Sequence, residues 1–213
     1  MNITNSALAY RIKWSILYRV RKRWIYRYFL FNFLLKKKNY NLHIGCGHDY
    51  LDDFLNIDAS KEAKADIYMD MRDLNKYCIS GSVNLIKMIH VLSYLRYWEA
   101  IDFLTVCYQL LKEDGKIIIE IPDIHKLSHE IVNIRSIEKL TDIKMYFECL
   151  RAIYAFNMKQ IEQKKHFTTY AFGWSAIHLE YELKKIGFKS VNILTPICHD
   201  KLPWRDFRIE AKK

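Results

Sequence analysis

Short apolar runs alternate with longer amphipathic stretches over most of the chain. Apolar runs that are bounded by glycine, proline or acidic residues are typical of buried strands. Seven strands are predicted in this way, at Leu42–Ile44, Phe54–Ile57, Ala65–Met69, Val83–Ile89, Lys116–Ile121, Phe188–Leu194 and Asp206–Ala211.

Several of the stretches between strands have helical periodicity. Leu92–Leu111 places its apolar residues close to a 3.6-residue period, and we expect this helix to end with Gly115 as its C-cap. A second helix is predicted at Trp174–Lys185, ended by Gly187. The stretch 124–165 contains no glycine or proline and predicts a helical insertion or cap.

Strands that alternate with helices indicate an α/β fold with a mainly parallel, doubly wound sheet. The last two predicted strands are joined by a short connection, which makes them antiparallel neighbours. The chain of 213 residues, of which 51% are hydrophobic, is long enough for one domain with a full core. We therefore divide it into an N-terminal arm at 1–40 and a domain at 41–213, with the helical insertion near 124–170.

The arm is basic and aromatic. It contains ten of the 34 basic residues and no acidic residue, so the remaining 24 basic residues are matched by 24 acidic ones. Its aromatic and apolar residues recur at helical spacing and share one face, at Trp14, Leu17, Trp24, Tyr28 and Phe31. Arginines interrupt every apolar run, which argues against a signal peptide or a membrane span.

Three interpretations of the arm remain open. It is a helix that covers one face of the sheet and points its basic side chains to water, or it docks on an anionic membrane through residues 11–38. A nucleic acid backbone is the less favoured partner. The five scattered cysteines, an odd number, suggest free thiols in a reducing compartment. We expect a cytoplasmic protein, with peripheral contact on the inner membrane face if the arm docks there.

Candidate chemistry begins in the stretch Tyr40–Asp58. The first predicted strand ends in Gly45-Cys46-Gly47, and the second ends on Asp58. A glycine turn after one strand and a carboxylate after the next is how doubly wound folds hold an adenosine ligand. The dinucleotide fingerprint has a third glycine at the position of Tyr50 and an acidic residue farther along the chain than Asp58, so this chain matches it only in part. S-adenosylmethionine is the alternative ligand.

The ordered set of segments resembles class I S-adenosylmethionine-dependent methyltransferases, and among them small bacterial members from surface-polysaccharide gene clusters. The resemblance covers about Asn41–Lys213. It is carried by LHIGCG, FLNID, ADIYMD, VNLIKMIHVLSYL, LLKEDGKIIIEIPD and the closing GFKSVNIL and DFRIEAKK. It implies a Rossmann-like sheet of about seven strands with the last strand antiparallel, and S-adenosylmethionine as cofactor over the carboxyl ends of the first strands.

The resemblance also implies roles for single residues. Gly45, Cys46 and Gly47 match the loop beside the methionine part of the cofactor, and Asp58 matches the acid that binds the ribose. Asp70 and Met71 match the position that flanks the adenine. His90 matches the residue after the fourth strand, near the cofactor or the acceptor.

Four residues at three sites depart from the family pattern. Asn84 stands where an acid is common, the pair Ser93-Tyr94 stands where Glu-His is common, and Asp114 replaces a frequent second glycine. The Ser93-Tyr94 change keeps open a protein of this fold that binds but does not catalyse. The connection between the first two strands is also short, so its helix is expected to be about one turn.

Candidate catalytic residues follow from fold position. His90, Asp123 and His125 lie just past predicted strand ends, where such sheets bind ligands. A base is needed when the acceptor is a hydroxyl or a protonated amine. His166 and Tyr170 precede the last predicted helix and could close over the acceptor. The sequence has no metal-ligand constellation, G-x-S-x-G or P-loop. We expect a methyltransferase that acts on a glycan, a glycolipid precursor or a related small molecule, with RNA as the alternative acceptor.

Overall fold

The computed structural model describes residues 39–134, 140–156, 169–198 and 202–213. Seven strands form one sheet in the order β3-β2-β1-β4-β5-β7-β6. They are β1 (Tyr40–Ile44), β2 (Leu55–Asp58), β3 (Ile67–Tyr68), β4 (Val83–Ile89), β5 (Leu111–Pro122), β6 (Ser190–Leu194) and β7 (Asp206–Lys212). The predicted arm at 1–40 lies almost wholly outside the described residues.

The sheet is parallel from β3 through β5, and β7 runs antiparallel to both of its neighbours. This confirms the predicted fold class, a seven-stranded, mostly parallel sheet with an antiparallel last strand. Strand order reverses between β1 and β4, which places a crevice at the carboxyl ends of β1, β2 and β4.

Four α-helices are described: α1 (Tyr97–Leu110), α2 (Ile124–Asn133), α3 (Leu140–Tyr154) and α4 (Ala176–Ile186). Buried residues of α1 and α4 pack with β1, β4, β5 and β7 in one large core. The two helices α2 and α3 pack on each other around Leu127, Cys149 and Ala152, within the predicted insertion. Within the described residues, no helix is both long and apolar enough to cross a membrane.

The helix predicted at Leu92–Leu111 begins later than expected. Leu92–Tyr94 is a separate 3₁₀ helix, and Leu95 and Arg96 are extended before α1 starts at Tyr97. Leu92 and Leu95 of this turn are both buried in the core, so their spacing in the sequence matches that of a helix. Glu99 fixes the true start, because its Oε2 accepts from the N–H of Arg96 at 3.0 Å.

The predicted C-cap at Gly115 is also wrong. Helix α1 ends at Leu110, and Leu111 already pairs with Val83 in the sheet. Asp114, not Gly115, takes the positive φ of this turn, at 63°. Gly115 is needed for a close approach, because a β-carbon there would lie 2.8 Å from the carbonyl oxygen of Lys112. By contrast Gly187, with φ of 124°, caps α4 as predicted.

Candidate active site

The chain turns sharply after β1. Gly45 and Gly47 adopt positive φ angles of 66° and 53°, which glycine reaches without steric cost. A β-carbon on Gly45 would lie 2.3 Å from Cγ2 of Val91, whereas one on Gly47 would meet no atom within 4 Å. Gly45 therefore lets the loop pack against the protein, and Gly47 borders open space in the cleft.

Asp58 connects this loop to the end of β2. Its Oδ2 accepts from the N–H of Gly47 at 2.8 Å, and its Oδ1 accepts from the N–H of Ser60 at 2.7 Å. Each carboxylate oxygen has capacity for a further hydrogen bond. Asp58 can therefore hold the loop in place and still accept hydrogen bonds from a ligand.

The connection between β1 and β2 contains turns and no helical residue over 45–54, so the predicted one-turn helix is wrong. In place of a helix, the buried side chain of Asn56 forms hydrogen bonds with the backbone of this connection. Its Oδ1 accepts from the N–H of Leu51, and its Nδ2 donates to the carbonyls of Leu51 and Phe54. One amide side chain thus satisfies backbone groups that a crossover helix would have paired.

A second wall of the cleft begins at Asp70, after β3. Asp70 caps the 3₁₀ helix Met71–Lys76, because its Oδ1 accepts from the N–H of Arg72. The Arg72 side chain returns to the same carboxylate and also reaches Glu99 in the first turn of α1. These bonds from Arg72 hold the pKa of Asp70 below its ordinary value.

His90 directly follows β4 and lines a third side of the cleft. It adopts a positive φ of 54°, which is rare for a residue other than glycine. Its Nε2 lies 3.0 Å from Oδ2 of Asp206, the first residue of β7. Asp206 is fully buried and accepts two further bonds of 2.7 Å from Arg205.

Asp206 is an anion in this setting. Burial by itself would raise its pKa, but the hydrogen bonds from His90 and Arg205 outweigh burial and hold the pKa below its ordinary value. A buried carboxylate that bonds one nitrogen of a histidine fixes the orientation of the ring.

Two tyrosines pack beside His90, and of these Tyr94 lines the cleft. Tyr94 and Tyr170 pack edge to face, with ring centroids 4.8 Å apart. The segment that carries Tyr170 is fixed to the 3₁₀ helix before α1, because the carbonyl of Ser93 accepts from the N–H groups of Ala171 and Phe172. Burial is the main reason that the pKa of Tyr94 is raised, and the nearby Asp58 adds to it.

These walls enclose a cleft of about 740 Å³ at the carboxyl edge of the sheet. A volume of this size suits a cofactor or a drug-sized ligand. Most of the predicted cofactor residues line it, namely Gly45, Gly47, Asp58, Asp70, Met71 and His90. Among the residues that the structure describes, no cluster of histidine, cysteine and acidic side chains could hold a metal ion.

The other predicted residues lie elsewhere. Cys46 is buried behind the loop against Ala63 and Ala65, and burial raises the pKa of its thiol to about 12. Asp123 caps α2, where its Oδ1 accepts from the N–H of His125. Neither Asp123 nor the exposed His125 is among the described residues that line the cleft. A catalytic role for them stays a prediction, and His166 lies outside the described residues.

Sequence reasoning missed Asp206 and Arg72. A signal for Asp206 was available: it opens the predicted last strand, and the start of an antiparallel strand lies beside the carboxyl ends of its parallel neighbours. Arg72 gave no such signal, because an ion pair between surface side chains leaves no periodic pattern in a sequence. Asn84 sits near the amino end of β4, away from the cleft, so its departure from the family pattern does not touch the site.

Comparison with known proteins agrees with this architecture. No protein-family model matches the sequence, and a search of curated proteins finds no match. Among solved structures, an S-adenosylmethionine-dependent methyltransferase from Archaeoglobus fulgidus aligns over 97% of this chain and 99% of its own, with a TM-score of 0.54 and 15% identity. The chain has the class I methyltransferase fold.

Further solved structures share this fold. A putative S-adenosylmethionine-dependent methyltransferase from Listeria monocytogenes covers 84% of this chain and 92% of its own, with a TM-score of 0.51 and 15% identity. The DhpI-SAH complex covers 82% of this chain and 76% of its own, with a TM-score of 0.50 and 12% identity. Identities this low speak for the fold alone, and the resemblance to surface-polysaccharide members stays a prediction.

Proposed function

We propose that this protein is an S-adenosylmethionine-dependent methyltransferase that acts on a hydroxyl group of a glycan, a glycolipid precursor or a related small molecule. The observation that carries the proposal is the joining of the glycine loop to Asp58 at the mouth of a cleft of about 740 Å³. The class I methyltransferase fold supports the same cofactor, and SAH is bound in one structure of similar fold.

The cleft residues fit the parts of that cofactor. Asp58 has acceptor capacity left for the ribose hydroxyls, since each oxygen takes one backbone N–H. Gly47 leaves room for the methionine part, because a β-carbon there would project into open space. Asp70 and Met71 form the wall that remains for the adenine.

The acceptor side is formed by His90 and its partners. When bound, S-adenosylmethionine supplies a methyl group on a positively charged sulfur that is open to in-line displacement. His90 accepts the proton that the acceptor hydroxyl loses, and Asp206 stabilises the resulting imidazolium. Arg205 keeps Asp206 ionised and in place. Positioning of the reactants supplies up to about 10 kcal/mol, and the base adds about 100- to 10,000-fold in rate.

A base beside the cleft favours an oxygen acceptor over a neutral amine, which already has a lone pair for the attack. Tyr94, 38% exposed, offers a flat aromatic face next to His90. Such a face packs well against the apolar side of a sugar ring or an aromatic acceptor. In the same proposal, the ten basic residues of the arm bring the enzyme to an anionic surface where a membrane-bound acceptor lies.

Methyl-labelled S-adenosylmethionine tests the activity. The protein is incubated separately with glycolipid, water-soluble glycan and RNA fractions, and the label in each fraction is counted. The proposal expects label in a lipid or glycan fraction, and none with the matched variant Gly47→Val, which blocks the cleft. Label in the RNA fraction would instead favour RNA as the methyl acceptor. Cofactor binding without transfer to any fraction supports a non-catalytic binding protein.

A further inference from the structure

We propose that Arg72 is a cofactor-binding residue, and that the flat face of its guanidinium group contacts the purine ring. The inference rests on the proposed function, because it concerns the adenine end of the same cleft. Arg72 lines the cleft beside Met71, and its side chain is 53% exposed, so it sits at the rim where a ligand ring enters.

The guanidinium group of Arg72 is fixed by two carboxylates. Its Nε donates to Oδ1 of Asp70 at 3.0 Å, and its Nη2 donates to Oδ2 of Asp70 at 2.6 Å. Its Nη1 donates to Oε1 of Glu99 at 3.0 Å. A fork of this kind holds the plane of the guanidinium in one orientation.

The two carboxylates stand on different elements that are themselves anchored. Asp70 precedes the 3₁₀ helix Met71–Lys76, and Glu99 lies in the first turn of α1, where it also accepts from the N–H of Arg96. The Arg72 side chain therefore bridges the two elements at the edge of the cleft. Its position is set before any ligand binds, which lowers the cost of ordering it on binding.

The bonding pattern decides which part of Arg72 a ligand can use. Three of the five N–H donors of the guanidinium are engaged in its plane, and two anions neutralise its charge. The flat faces stay available, and guanidinium faces stack on aromatic rings. A purine ring is the part of the proposed cofactor with a matching flat surface.

The same pattern changes the role of Asp70. The sequence resemblance implied that this residue flanks the adenine directly. Oδ1 of Asp70 already accepts two bonds from Arg72, one from its backbone N–H and one from Nε, and Oδ2 accepts a third. Asp70 therefore acts chiefly by positioning the Arg72 side chain, and Arg72 makes the contact with the purine ring.

Calorimetry with SAH and with adenosine tests this inference through three substitutions. Arg72→Lys keeps the charge and loses the flat face, Arg72→Gln loses both, and Arg72→Tyr keeps a flat face without charge. We expect Arg72→Lys and Arg72→Gln to weaken both ligands roughly five- to thirtyfold. Arg72→Tyr should stay within about threefold of the wild type, since an aromatic ring also stacks on a purine.

Lys76→Gln is the matched control. Lys76 lies on the same 3₁₀ helix and forms an exposed ion pair of 2.6 Å with Asp73, away from the cleft. Its loss should leave both affinities unchanged. The opposite order, with Arg72→Lys near the wild type and Arg72→Tyr weak, would overturn the stacking contact in favour of simple ion pairing. A wild-type protein that binds neither ligand would instead overturn the proposed cofactor itself.

Discussion

The backbone N–H of Gly47 donates a hydrogen bond of 2.8 Å to Oδ2 of Asp58. This bond joins the loop after β1 to the end of β2, beside the crevice at the carboxyl ends of β1, β2 and β4. It holds the open space beside Gly47 next to the Asp58 carboxylate, which can still accept hydrogen bonds from a ligand. The cofactor assignment depends on this pair, and the glycine and acid can each be changed alone.

The two loop glycines should respond differently to the same added methyl group. Gly45→Ala places a β-carbon 2.3 Å from Cγ2 of Val91, and this overpacking plus the positive φ should cost about 2–5 kcal/mol of stability. Gly47→Ala meets no protein atom and should cost only about 1–2 kcal/mol, from its φ. Thermal unfolding of the two variants measures the difference.

Ligand binding completes this comparison. Gly47→Ala should lose most of its affinity for SAH, because its methyl group projects into the cleft. Equal destabilisation by the two variants, with normal binding by Gly47→Ala, would show that the open space beside Gly47 is not where the ligand lies.

Removal of the acid at the start of β7 should alter acid stability. The pKa of Asp206 is lower in the folded protein than its unfolded value near 4. Its contribution to stability is therefore complete above about pH 4 and is lost as the pH falls through the folded pKa. Asp206→Asn should destabilise the neutral protein by about 3–5 kcal/mol, because it leaves Arg205 buried without its anion.

The pH dependence distinguishes this effect from simple loss of packing. Urea unfolding between pH 7 and pH 2 should show a stability gap between the wild type and Asp206→Asn that is constant down to about pH 4 and narrows below it. The exposed Asp52→Asn serves as control and should follow the wild type. A gap that stays constant over this range would contradict the ionised state assigned to Asp206.

His90→Asn tests the proposed base. Asparagine tolerates the positive φ of this position, and Asp206 keeps its two bonds to Arg205, so the fold should survive. We expect methyl transfer to a hydroxyl acceptor to fall about 100- to 10,000-fold. Affinity for SAH should change less than about tenfold. Transfer at the wild-type rate would remove His90 from the mechanism.

The arm is tested by neutralising four of its basic residues. Arg19, Arg21, Lys22 and Arg23 are changed to glutamine, and sedimentation with anionic liposomes and with RNA is measured at several salt concentrations. Each basic residue near an anionic surface adds about 1 kcal/mol, so liposome binding should be lost while SAH binding persists. Salt-sensitive RNA binding without liposome binding would favour the nucleic acid partner. Binding to neither surface would leave a solvated cover helix.

Much of this site could be predicted because its residues end strands. The apolar run before Gly45 and the run before Asp58 each mark a strand, and parallel strands bring their carboxyl ends to one edge of the sheet. The same reasoning placed His90 there, whereas Asp70 was assigned to the site only by the resemblance to methyltransferases. It did not separate Asp123, which also follows a strand but caps a helix. Position along the chain cannot tell a ligand-facing side chain from a capping one.

The residues that escaped prediction depend on contacts between distant parts of the chain or on local turns. Asp206 lies 116 residues from His90 and meets it only through the antiparallel placement of β7. The start of α1 depends on Glu99 capping Arg96, whereas the apolar spacing before it resembled a continuing helix. Asn56 replaces a crossover helix by a set of side-chain bonds that no periodicity indicates.

Calorimetric titration of SAH into the wild type and Asp58→Ala tests the cofactor assignment most directly. Loss of a half-buried carboxylate that bonds the ligand, and of the bond that holds Gly47, should cost roughly 1.5–3 kcal/mol, or about ten- to hundredfold in affinity. The exposed Asp52→Ala, in the same connection between β1 and β2, should bind like the wild type. Equal affinity of the wild type and Asp58→Ala, or tight binding of NAD in place of SAH, would contradict the assignment.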